Sequence, residues 1–92
     1  MNYLRFEWDE KKNLANQKKH KVSFDEAKTV FYDEHARLIP DPDHSEEEDR
    51  FILMGLSSNL RMIVVVHCYR KKDEIIRIIS ARKATPNEQK HY

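Results

Sequence analysis

Arg77-Ile78-Ile79-Ser80-Ala81-Arg82-Lys83-Ala84-Thr85 is an apolar strand that carries arginines and runs into the start of a helix. The spacing predicts a last strand over residues 74–81. Thr85, Pro86 and Glu88 then supply the N-cap, first and third positions of a short final helix reaching Tyr92. Arginine is rarely buried without a partner, so an Arg inside such a run either pairs with an acid or waits for an anion. The planar guanidinium fork suits phosphate because it grips two oxygens at once.

Upstream, residues 50–56 and 60–69 read as two further strands joined at Ser58-Asn59, and a polar turn over residues 70–73 leads into the last one. In the second of these strands Met62, Val64, Val66 and Cys68 share one side, and Arg61, Ile63, Val65, His67 and Tyr69 share the other. The uniformly apolar first side is expected to face helices. The second, with polar groups at its ends, reads as an open binding surface. Residues 35–39 form a candidate strand closed by Pro40, followed by a turn-rich acidic loop over residues 41–49.

At the N-terminus residues 5–8 alternate as an edge strand. Asp9 caps a helix over residues 10–19, whose few apolar residues, Leu14 and Ala15, give only a narrow packing stripe. Ser23 and Glu26 have capping-box spacing, and Phe24, Ala27, Val30 and Phe31 then share one helical face. The expected fold is α+β: a small antiparallel sheet packed against two N-terminal helices, with a short C-terminal helix. Residues 1–92 make one domain with a thin core.

Formal charge sums to only +1, but it is unevenly spread: +2 over residues 1–32, −6 over 33–50 and +5 over 51–92. The near-neutral total argues against a general nucleic-acid coating protein, while the basic C-terminal half permits an anionic substrate. No apolar run approaches membrane-spanning length. Cys68 is the only cysteine, which excludes a disulfide framework and suits a reducing cytoplasm. Gly55 is the only glycine, which excludes a glycine-rich phosphate loop. The five histidines lack zinc spacing, so neither metal nor cofactor is expected; His44 beside Asp41 and Asp43 is the one cluster worth testing.

RNA can be cut without metal when its 2′-hydroxyl attacks the adjacent phosphate, given a base, positive charge and an acid. Preorganised charge is often the largest of these contributions. Arg61, Arg77, Arg82 and Lys83 offer charge here, His67 and Glu48 proton transfer, and Tyr69 stacking or donation. Each has a plainer reading. Arg77 could pair with the acidic loop at Glu48, and His67 could be a packed, hydrogen-bonded histidine. Lys83 with Arg82, and Lys19 with Lys18, could be solvated surface charge.

The ordered set Phe6-Glu7-Trp8-Asp9, Lys19-His20 then Val22-Ser23-Phe24, His44-Ser45 with Glu48 and Arg50, Gly55, Val64-Val65-Val66-His67, Arg77 to Thr85, and Glu88 with Tyr92 spans nearly the whole chain. It resembles the BrnT family, the ribonuclease toxins of bacterial type II toxin–antitoxin systems, with a fold like that of RelE-type ribonucleases. The resemblance implies an RNA substrate and a ribbon-helix-helix antitoxin, joined in a heterotetramer that meets operator DNA only through the antitoxin. It makes Arg61, His67, Arg77 and Arg82 the catalytic candidates, and the chemistry of the residues themselves adds Lys19, Glu48, Tyr69 and Lys83 as substrate-binding candidates. Most members of the family carry glycine where this chain has Lys21; a glycine there would end the first helix in a left-handed turn, so either the lysine is strained or the turn differs. The rival reading is a non-catalytic module whose basic sheet face holds a protein partner.

Overall fold

Asp9 opens the first helix as expected, its carboxylate accepting from the backbone N–H groups of Lys11 and Lys12. The computed structural model describes residues 3–40 and 50–92, so Asp41, Asp43, His44 and Glu48 lie outside the described residues. Its elements are β1 (Phe6–Glu7), α1 (Glu10–His20), α2 (Phe24–Thr29) with a 3-10 turn over Val30–Tyr32, β2 (Arg37–Ile39), β3 (Phe51–Leu56), β4 (Met62–Arg70), β5 (Ile75–Lys83) and α3 (Pro86–Gln89).

The sheet runs in the order β1-β5-β4-β3-β2. The three pairs from β2 to β5 are antiparallel, but β1 lies parallel to β5, with Phe6 opposite Ile76 and Glu7 opposite Arg77. The sheet is therefore mixed rather than antiparallel. The first strand is too far along the chain from the last to be joined to it by a hairpin, and it enters the free edge beside β5 in the same direction.

Helix α1 docks differently from the narrow apolar stripe expected. Leu14 is 60% exposed, and the buried residues of α1 are Asn13 and Asn16. The Asn16 amide donates to Ala81 O at 2.8 Å and Val22 O at 2.9 Å, and its oxygen accepts from Ala81 N–H at 3.2 Å. A side chain thus takes up the backbone groups that β5 presents beyond the two-residue reach of β1. Asn13 in turn accepts from Phe24 N–H at 2.9 Å, tying the start of α2 to α1.

The face assignment of β4 is the reverse of the expectation. Ile63 and Val65 pack with Val22, Phe24, Ala27 and Val30 of the helical layer, together with Ile78 and Ala81 of β5. Val64 packs on the opposite side with Ile52, Met54 and Ala84, flanked by Ile39, Met62 and Val66. Both faces of the strand bury apolar residues, so the polar groups at its ends do not report which face is open. The only glycine has a steric cause. A Cβ on Gly55 would stand 2.9 Å from both Ala36 Cβ and Val30 Cγ1, which blocks the close approach of the 3-10 turn to the sheet.

Lys21 ends α1 in the left-handed region, φ 61° and ψ 29°, donating its N–H to Gln17 O at 2.9 Å. The backbone does what glycine would do there, at the cost of a Cβ. Lys21→Gly is expected to relieve that cost in part, since glycine also loses more freedom on folding; a net gain of about 0.5–1 kcal/mol raises Tm by roughly 3–6 °C. Thermal denaturation of the two proteins checks it. An unchanged or lower Tm would mean that the left-handed turn carries no strain.

Candidate active site

The register of β4 and β5 breaks between Val66 and His67: Val66 faces Ser80, but His67 faces Ile78. Ile79 is the extra residue of a β-bulge, and its insertion moves every earlier residue of β5 to the other face. Arg77 and Arg82 are five positions apart, which plain alternation would put on opposite sides. Instead Arg77 pairs with Cys68 and Arg82 with Val64, both on the side away from α2.

On that side Arg77 lines a small recess of about 120 Å³ with Lys12, Arg50, Cys68, Arg70 and Ile79. Arg70 follows Cys68 at the strand's two-residue period. Arg50 directly precedes β3, and Lys12 reaches in from the first turn of α1. Among the described residues the lining holds four cations and no acid. Among the described residues Glu7 is a nearby counter-charge, its Oε2 accepting from Arg77 Nη1 at 2.7 Å. This ion pair follows directly from the parallel register of β1 and β5. Guanidinium and ammonium groups gathered around one recess offer several donors to an anion, so the arrangement is suited to phosphate.

The other expected site residues among those described do not join Arg77 in the recess. Arg61 points to the helical side. Its Nε donates to Glu26 Oε2 at 2.9 Å, its Nη2 to Glu26 Oε1, and Nη2 also to Lys21 O at 2.9 Å. Ser57 adds a 2.7 Å bond to the same carboxylate. The Arg61 hydrogen bond holds the Glu26 carboxyl below its ordinary range, against the opposing effect of burial.

Arg82 grips Glu88 through two bonds of 2.7 and 2.8 Å, holding that carboxyl down at about 2. Glu88 also completes the capping box with Thr85, so Arg82 fastens α3 to the sheet. Lys19 is exposed on α1, and Lys83 is exposed opposite Ile63, on the helical side. Tyr69 is half exposed at the end of β4.

His67 is fully buried, 0% exposed, where an open face was expected. The bulge and the reversed face put it under Phe31, with ring centroids 4.7 Å apart, and Tyr69 and Phe51 close the other sides. Its Nδ1 lies 3.2 Å from Val65 O, to which it donates, leaving Nε2 bare and without a hydrogen-bond partner among the described residues. Burial pushes its pKa down. The native protein then binds fewer protons than the unfolded chain as pH falls, so this histidine costs stability below its unfolded pKa of about 6.5. Melting temperature is expected to fall as pH is lowered from 7 to 5, above the range where carboxylates titrate. His67→Leu should flatten that interval; an identical slope in the variant would place the titrating group elsewhere.

Lys12, Arg50 and Arg70 were not legible as site residues in the sequence. The available signal was the two-residue period from Cys68 to Arg70, with Arg50 at the head of the next strand. Among the described residues no helix is long and apolar enough to cross a membrane, and no group of His, Cys, Asp or Glu is placed to hold a metal ion.

The family model for the ribonuclease toxin BrnT of type II toxin–antitoxin systems matches residues 8–88. Among solved structures, the 1.1 Å crystal structure of the Brucella abortus ribonuclease toxin BrnT is similar at a TM-score of 0.68 and 25% identity, over 90% of this chain and 99% of that one. No curated protein matches the chain. The family match takes in α1, α2 and all of β2 to β5, and the chain belongs to the BrnT family of ribonuclease toxins of type II toxin–antitoxin systems.

Proposed function

We propose that the chain cleaves RNA by transesterification at the cationic recess, without a metal ion, and is neutralised by a ribbon-helix-helix antitoxin. The observation that carries this reading is the convergence of Lys12, Arg50, Arg70 and Arg77 on one recess. The attacking 2′-hydroxyl forms a bond to phosphorus as the bond to the 5′-oxygen breaks, and negative charge gathers on the phosphoryl oxygens. Guanidinium and ammonium groups already in place stabilise that charge with little reorganisation, the role a metal ion fills in other nucleases.

Arg77 is the central donor, fixed by its strand and by Glu7. Glu7 holds Arg77 at the recess, and its carboxylate is the proton acceptor proposed for the hydroxyl among the described residues. Arg61 and Arg82 hold α2 and α3 respectively, and His67 belongs to the aromatic core. The antitoxin class, its heterotetramer with the toxin and operator binding through the antitoxin alone follow from the resemblance of the motifs.

Purified protein incubated with RNA in excess chelator is expected to leave 2′,3′-cyclic phosphate and 5′-hydroxyl ends. Cleavage that stops with chelator and returns with magnesium, or products with 5′-phosphate ends, would replace this mechanism with metal-assisted attack by water.

A further inference from the structure

The cationic recess lies at the end of β4 and β5 where the hairpin turns, and a second opening lies on the other side of the same strand end. It is a cleft of about 670 Å³ lined by Tyr3, Leu4, Phe31, Tyr69 and Ile76. Its aromatic surface is accessible: Tyr3 is 76% and Tyr69 40% exposed. Tyr69 is also held in place, its ring edge-on to Phe51 at 5.4 Å and to His67 at 5.5 Å. One residue along each strand separates the two openings. Tyr69 stands between Cys68 and Arg70, and Ile76 precedes Arg77.

We propose that this cleft is a nucleobase subsite, taking one unpaired base of the RNA whose phosphate lies in the cationic recess. The inference rests on that reading of the recess. A single strand passing round the hairpin end can leave its backbone among the arginines and turn a base onto Tyr69 and Tyr3, because a splayed-out base offers a flat π-face to any aromatic platform. The rim supports a base over an apolar protein side chain. Asp73 and Glu74 lie beside Arg5 at the cleft. Carboxylates accept from ring N–H and exocyclic amino groups, and a guanidinium donates to base carbonyls, so the polar edge of a base finds partners where a leucine or phenylalanine would leave them unmet.

The test uses a short 2′-O-methyl oligonucleotide, which binds but cannot be cut, with a single abasic position moved along it. The wild-type protein is expected to lose about 5- to 100-fold in affinity when one particular base is removed. Tyr69→Ala should bind the intact oligonucleotide with the same loss and ignore the abasic position, while Tyr69→Phe retains the effect. The salt dependence of binding should be unchanged in Tyr69→Ala and shallower in Arg77→Ala. Salt-dependent binding with no sensitive abasic position overturns the subsite alone. Absence of salt-dependent binding overturns the phosphate reading and the subsite with it. A Tyr69→Ala protein that binds and cuts RNA normally but escapes its antitoxin makes the cleft a protein-docking face, and that also overturns the proposal.

Discussion

Arg77→Ala is expected to lower RNA cleavage by about 10²–10³-fold, the usual effect of removing one preorganised donor from a developing oxyanion. The fold should persist. The Arg77 and Glu7 side chains are each about a third exposed, at 32% and 33%, and a pair so open to water contributes no more than about 1 kcal/mol. Arg77→Lys should recover little of the rate, because an ammonium cannot offer the two-pronged contact. Growth arrest on expression, RNA cleavage in vitro and melting temperature must be measured together. If activity falls only in proportion to the folded fraction, Arg77 is a strand anchor for β1 and the chemistry lies elsewhere. Glu7→Gln separates the two further: as a positioning change it should alter the pH profile of cleavage more than the melting temperature.

Arg61→Ala should behave in the opposite way. Glu26 is 7% exposed, and the substitution would leave its carboxylate with only the neutral partners Ser57 and Asn59 and Lys21 O without the guanidinium donor. Breaking a buried ion pair costs about 3–5 kcal/mol; Arg61 is itself 32% exposed, so the low end, about 3 kcal/mol, applies. That corresponds to a fall in Tm of roughly 12–24 °C for a domain of this size. Cleavage per folded molecule should stay near the wild-type value. The double variant Glu26→Leu with Arg61→Met should regain much of the loss, since it leaves no charge unpaired. An Arg61→Ala protein that melts normally but no longer cuts RNA would return Arg61 to the active site.

Much of the local structure was readable because it depends on neighbours in sequence. Asp9, Ser23 and Thr85 cap α1, α2 and α3 as their spacing indicates. The strands β3 to β5 fall where alternation and turns place them. The candidate site was less legible, for three physical reasons. Both faces of β4 are apolar through its middle, so Arg61 and Tyr69 at its ends could not show which face the helices cover. The bulge at Ile79 is an offset between two strands, and neither strand's own sequence displays it. The partner of Arg77 is Glu7, seventy residues away, brought there by a parallel pairing that no local pattern announces. Arg77 was still recoverable from its chemistry, as an arginine in a strand that needed an anion.

The placement of β1 beside β5 has a consequence for biosynthesis. The first strand can find its partner only after β5 has been made, and Asn16 must likewise wait for Ala81. Until then α1 lacks its main dock, and Lys12 cannot meet Arg70 and Arg77. A nascent chain emerging from the ribosome therefore lacks the assembled cationic recess. The recess forms only once contacts distant in sequence have closed. That delay gives an antitoxin made alongside it an interval in which to be present before the poison is.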